Sequence, residues 1–185
     1  VIGENGSMGK KFIIAGGGTG GHLFPALAIG DELRSRGDHS IHYVGSYFGI
    51  EAKKLPQLDV EHTLLPIRGL QRSISLRSFG RNLLLPGRLI SSKMKTRSIF
   101  NSFQPDAVIG TGGYASALPL HTAKKNGIPH YIQEQNSFPG MTTRHFAENA
   151  EIVFTAFNEV EDHLKKKTVF KPETPFVGTL LMGIA

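Results

Sequence analysis

Short apolar runs alternate with segments of helical spacing along most of the chain. KFIIA (11–15), IHYVG (41–45), VEHTLLPI (60–67), DAVIG (106–110), PHYIQEQN (129–136) and EIVFTAF (151–157) read as strands. Helical spacing is found in ALAIGDELRSRG (26–37), EAKKL (51–55), 76–85, 89–101, ALPLHTAKKNG (117–127) and MTTRHFAENA (141–150), with Gly37 and Gly127 as stops. Strands and helices in alternation predict an α/β fold, a doubly wound, Rossmann-like parallel sheet covered on both faces. No repeat array or low-complexity stretch interrupts the pattern. Residues 1–7 read as a leader or cloning remnant before Met8, residues 8–175 as the domain, and 176–185 as a linker.

At 185 residues, 39% hydrophobic and 19% charged, the chain suits one ordinary globular core. The absence of cysteine excludes disulfides and thiolate metal sites. Its eight histidines are scattered without carboxylate-supported spacing, so no metal is expected. Apolar runs fall far short of the roughly 20 residues of a spanning helix, which leaves peripheral attachment as the expected form of membrane contact.

Two turns carry the chemistry. GTGG occurs at 18–21 and again at 110–113, each time after a hydrophobic strand. Glycines at the carboxyl end of a parallel strand let backbone N–H groups approach an anion without an intervening Cβ. Gly16, Gly18 and Gly21 satisfy G-x-G-x-x-G, yet the second strand ends Tyr43-Val44-Gly45-Ser46 without the acid that would hold a ribose diol, and no Lys-Ser or Lys-Thr makes a P-loop. His22 closes the first loop. A helix N-terminus disfavours imidazolium, so the ring is suited to accept a proton near neutral pH.

GGGTGGHLFPALAI (16–29), IGTGGYAS (109–116) and IQEQNSFPGMTTR (132–144) resemble, in order and spacing, the N-terminal half of the MurG family of bacterial peptidoglycan glycosyltransferases. The resemblance runs from about Met8 to Glu173. It implies one half of a GT-B enzyme, a hexosyltransferase that moves N-acetylglucosamine from UDP-GlcNAc to lipid I with inversion and without a cofactor, on the cytoplasmic face of the inner membrane. This half would bind the acceptor and be inactive alone. By the same resemblance, His22 is the general base, with Glu134 as a second catalytic candidate. Thr19, Gly20, Gly21 and Asn136 would meet the donor, and Gly112, Gly113 and Tyr114 the acceptor diphosphate. Two positions depart from the family pattern. Gln133 stands where histidine is usual, and Gly178-Thr179-Leu180-Leu181-Met182 replaces the usual entry to a second domain.

The net charge of +6 belongs to one segment. From His62 to Gln104 there are eight basic residues and no acid, while the remaining 13 basic residues are outnumbered by 15 acidic ones. An anionic partner is expected there. Taken as one helix, 76–95 places Arg77, Arg81, Arg88 and Lys95 within about 40° of one another, and Leu76, Phe79, Leu83, Ile90 and Met94 on the opposite side, expected to face the core. Pro86 is expected to kink or split that helix. Ile74, Leu84 and Leu85 lie within or beside the stripe formed by Arg77, Arg81 and Arg88, a mixture suited to an anionic membrane surface. With Phe79 alone as interleaved aromatic, nucleic acid is not expected. The alternatives are a stand-alone acceptor subunit of a split GT-B transferase, a GT-B enzyme for another acceptor, and a noncatalytic polyanion-binding module.

Overall fold

The computed structural model describes residues 9–68, 85–164 and the backbone of 169–170. Seven parallel strands are ordered β3-β2-β1-β4-β5-β6-β7: β1 (Lys11–Gly16), β2 (Ser40–Ser46), β3 (His62–Leu65), β4 (Ala107–Gly112), β5 (His130–Glu134), β6 (Val153–Thr155) and β7 (Val169–Phe170). The helices are α1 (Gly20–Arg36), α2 (Glu51–Gln57), α3 (Leu85–Phe103), α4 (Ala117–Asn126) and α5 (Met141–Phe146).

Strands covered on both faces need no alternation of polar and apolar residues, and β1 is buried from Phe12 to Gly16. Its successive side chains still divide between two cores. Phe12 and Ile14 pack with Leu23, Ile29 and Leu33 of α1, whereas Ile13 and Ala15 share the other layer with Ile99 and Phe100 of α3 and Leu120 of α4. Strand order reverses between β1 and β4. Ligands of open α/β sheets gather outside the carboxyl ends of strands at such a reversal.

Two expectations are corrected. Helical spacing is read from Ala26, but the helix begins at Gly20 and takes in both Pro25 and His22. Pro86 is the second described residue of α3, and the kink or split expected there concerns 76–84, which lie outside the described residues. Ile90 and Met94 do not face the core: they are 61% and 66% exposed. The helix packs through Ser92, Thr96, Ile99 and Phe100 on its opposite side. Two small buried polar residues and two large apolar ones seat α3 there, a face that hydrophobicity alone does not single out.

Burial holds the His130 and His42 imidazoles below the ordinary histidine range, with Glu61 opposing the effect at His42. The folded chain keeps these rings neutral where the unfolded chain has protonated them. Stability is therefore lost as pH falls below the unfolded value of about 6.5, until the folded rings titrate as well. The urea midpoint is expected to fall between pH 7.5 and 5.5, and His130→Gln should flatten that dependence. An unchanged slope in the variant would show that His130 does not contribute.

Candidate active site

The two GTGG turns are neighbours in space because β1 and β4 are neighbours in the sheet. Gly16 pairs with Gly112 across a register shift at Ala15/Gly16, and the Gly17 N–H donates to the Gly112 carbonyl at 3.4 Å. Two of these glycines have no substitute. Gly112 and Gly113 have φ of +104° and +75°, and a Cβ would stand 2.6 Å from His22 Nδ1 at the first and 2.1 Å from the Gly17 carbonyl oxygen at the second. The Tyr114 ring lies against Gly18, so the second loop covers the first.

Thr19 is the N-cap of α1 in extended conformation, without a side-chain cap bond. His22 and Leu23 donate back to the Thr19 carbonyl, which leaves the Gly20 and Gly21 N–H groups at the helix mouth, where an α-helix has no internal acceptor for them. The macrodipole adds positive potential at the same place.

His22 is tied to two other motifs. Its Nδ1 lies 3.0 Å from the Thr111 carbonyl oxygen, and the Thr111 hydroxyl donates to the His22 carbonyl at 2.8 Å. Gln135 Nε2 stands 2.7 Å from the same Nδ1. One ring nitrogen cannot donate and accept together, so the two neighbours define two tautomers. Donation to Thr111 leaves Nε2 with a free lone pair, and acceptance from Gln135 puts the proton on Nε2.

Glu134 ends β5 and is buried. Its Oε1 accepts from the Asn136 N–H at 3.1 Å and Asn136 Nδ2 at 2.9 Å, and its Oε2 from the Gly140 N–H at 3.1 Å and the Thr143 hydroxyl at 2.6 Å. Four donors thus converge on its two oxygens and tie the carboxylate to the 136–143 loop. These contacts give Glu134 an organising role in the 136–143 loop. Thr142 of the same loop donates to the Gly113 carbonyl at 3.2 Å, joining the third motif to the second.

Two participants were missed in the sequence. Glu51 is fully buried and accepts the Gly18 N–H with both oxygens at 3.0 Å and the Ser46 N–H at 2.9 Å. It lies close behind the second strand, where an acid was judged missing, but it grips the glycine loop and takes the Gly18 N–H away from any ligand. Gly17, Gly45 and Gly49, whose absent side chains make room for it, are the signal the sequence offers. Gln135 is the other, hidden between two residues already singled out. Gln133 is buried with both amide atoms lacking a partner among the described residues.

Thus His22, Thr19, Gly20, Gly21, Gly112, Gly113, Tyr114, Glu134 and Asn136 converge at the carboxyl ends of β1, β4 and β5. Ile74, Arg77, Arg81 and Leu84 lie outside the described residues, as does the altered segment 178–182. Leu85 opens α3, and the Arg88 guanidinium stands 5.1 Å from the centre of the Phe48 ring.

Residues 12–155 match the model of the glycosyltransferase family 28 N-terminal domain. The chain belongs to that family. Family 28 relatives named UDP-N-acetylglucosamine–N-acetylmuramyl-(pentapeptide) pyrophosphoryl-undecaprenol N-acetylglucosamine transferase share 45% identity in Christiangramia forsetii and 42% in Flavobacterium psychrophilum. The alignments cover 83% and 89% of this chain but 41% and 44% of those proteins, so the chain spans less than half the length of these curated relatives. The crystal structure of Acinetobacter baumannii MurG superposes with a TM-score of 0.70 over 88% of this chain and 45% of its own, at 23% identity, a likeness of fold. For this family 28 domain the doubly wound reading and the family resemblance are borne out.

Proposed function

We propose that this chain is the acceptor-binding half of a MurG-type transferase, which passes N-acetylglucosamine from UDP-GlcNAc to lipid I on the cytoplasmic face of the bacterial inner membrane. The observation that carries the reading is the convergence of His22, the two glycine turns and the Glu134 loop at the β1/β4 reversal. Inverting sugar transfer needs a base for the attacking hydroxyl and donors for the phosphate oxygens, and no covalent nucleophile. With Nδ1–H donating to Thr111, His22 Nε2 is the base. The Gly20 and Gly21 N–H groups at the mouth of α1 supply donors on the first side, and the Gly112–Tyr114 turn faces them. Glu134 holds Asn136 and the 136–143 loop in place, and Asn136 faces the donor sugar.

Attachment to the membrane is part of the proposal. Among the described residues no helix is long and apolar enough to cross a bilayer. Leu89, Ile90 and Met94 nevertheless stand out from α3, and beside them Arg88 and Lys95 lie over the exposed rings of Phe48 and Tyr47. Apolar side chains flanked by cations suit an anionic lipid surface.

The test is equilibrium binding to the purified chain. A lipid I analogue is expected to bind in competition with undecaprenyl diphosphate, and UDP-GlcNAc to bind far more weakly, because catalysis and donor affinity require the other half in place. Failure to bind either diphosphate lipid would overturn the assignment.

A further inference from the structure

Two neighbours of His22 make opposite demands on one ring nitrogen. Nδ1 lies 3.0 Å from the Thr111 carbonyl oxygen and 2.7 Å from Gln135 Nε2. A carbonyl only accepts, so the first contact needs a proton on Nδ1, whereas an amide nitrogen only donates, so the second needs that proton absent. Whichever tautomer forms, one contact sets like against like at hydrogen-bond distance. At the other end of the same amide, Gln135 Oε1 is buried without a hydrogen-bond partner among the described residues. Half a rotation about the last bond of the side chain exchanges the two ends and removes the conflict. Oε1 then meets the Nδ1–H, and that proton is shared between two oxygens, one from Gln135 and one from Thr111. One amide atom is unpartnered in either orientation, so the contact with the ring decides between them.

We propose that Gln135 is a positioning residue that, together with the Thr111 carbonyl, holds the proton on His22 Nδ1 and so presents Nε2 unprotonated to the acceptor. The seat of the ring agrees. A Cβ at Gly112 would stand 2.6 Å from Nδ1 and one at Gly113 3.3 Å from Cδ2, so these edges lie against the second glycine turn. Among the described residues no hydrogen bond engages Nε2. In the transfer, Nε2 takes the proton of the attacking hydroxyl and the hydroxyl oxygen bonds to the anomeric carbon. The bond from that carbon to the diphosphate oxygen breaks, and its electron pair leaves with the diphosphate. The ring is then an imidazolium, whose charged Nδ1–H binds both oxygens more strongly than the neutral ring does, so the pair favours the transition state over the ground state. The buried carboxylates nearby are otherwise engaged, Glu134 by its own loop and Glu51 by Gly18. This catalytic meaning rests on the reading of His22 as the base, and the placement of the proton does not.

The tautomer is read on the whole chain, and the chemistry in the transferase assembled with its donor-binding half. Long-range proton–nitrogen NMR of the histidine-labelled chain at about pH 9, where an ordinary imidazole is neutral, shows which ring nitrogen carries the proton. His22→Ala identifies the signals. Gln135→Leu removes both ends of the amide, and Gln135→Glu keeps an acceptor while removing the donor. The native chain and Gln135→Glu are expected to carry the proton on Nδ1, and Gln135→Leu to shift toward the Nε2–H form. In the assembled enzyme, Gln135→Leu should lower kcat by roughly 10–100-fold, the span for losing one hydrogen bond to a charged group, with donor KM hardly changed. Gln135→Glu should restore most of that loss.

An Nδ1–H form that Gln135→Leu loses and Gln135→Glu keeps, with kcat following, supports the proposal. An Nε2–H form in the native chain, or a tautomer that Gln135→Leu leaves in place, overturns the role of Gln135 whatever the kinetics. A normal kcat for Gln135→Leu where His22→Ala is inactive overturns it too. If the tautomer shifts as expected while both variants transfer normally, His22 is not the base, and the hold of Gln135 on its tautomer stands. Circular dichroism confirms that each variant is folded. Should Gln135→Leu fail to fold, the comparison of the native chain with Gln135→Glu decides, because a residue that only accepts reproduces the native tautomer only if Gln135 itself accepts.

Discussion

His22→Ala, made in the transferase assembled with its donor-binding half, is expected to lower kcat by roughly 10²–10⁴-fold, the range for loss of a positioned general base. Donor KM should hardly move, since the imidazole is proposed to act on the acceptor hydroxyl, and an interaction made only in the transition state appears in kcat. The chain's stability should change by no more than about 1 kcal/mol, because the half-exposed ring makes two polar contacts and little apolar packing. Steady-state kinetics with a lipid I analogue, paired with urea denaturation of the variant, check both halves of the expectation. A near-normal kcat would remove His22 from the chemistry.

Glu134→Ala is expected to show the reverse balance between folding and chemistry. Removing the carboxylate deprives the Asn136 N–H, the Gly140 N–H and the Thr143 hydroxyl of their acceptor at a buried position. An orphaned buried donor costs about 1–3 kcal/mol, and water admitted by the smaller side chain offsets part of it, so a loss of about 3 kcal/mol is expected. For a chain of this length that corresponds to about 6–12 °C in Tm. Glu134→Gln keeps one acceptor oxygen and should lose about half as much. Calorimetry of the three proteins decides the matter. If Glu134→Ala leaves Tm unchanged while abolishing transfer, Glu134 is a catalytic group after all and the organising role is wrong.

These opposite expectations for His22 and Glu134 come from contacts that motifs do not encode. Both residues stand in polar stretches after a strand, and both were singled out for proton chemistry. What separates them is the neighbourhood. Glu134 is surrounded by donors from residues two to nine positions further on, whereas His22 meets a carbonyl 89 residues away. Glu51 makes the same point from the other direction, because in the sequence it is an ordinary acid at the start of a short helix and in the fold it is the buried anchor of Gly18.

Apolar runs of strand length, interrupted by glycine-ended helices, were enough to settle the doubly wound class, since only a sheet covered on both faces can bury such strands. The two GTGG turns likewise showed in the sequence that backbone would approach a ligand. That they stand side by side depended on strand order: β4 pairs with β1, although 88 residues of chain separate the turns. Helix orientation was decided in the same way. The wheel through Ile90 and Met94 pointed them inward, but α3 packs through Ser92, Thr96, Ile99 and Phe100 and leaves Ile90 and Met94 outside. Periodicity is local, and so it can be read along the chain. Which face is buried, and which donor finds which acceptor, depends on segments far apart in sequence, whose positions are set only when the sheet has formed.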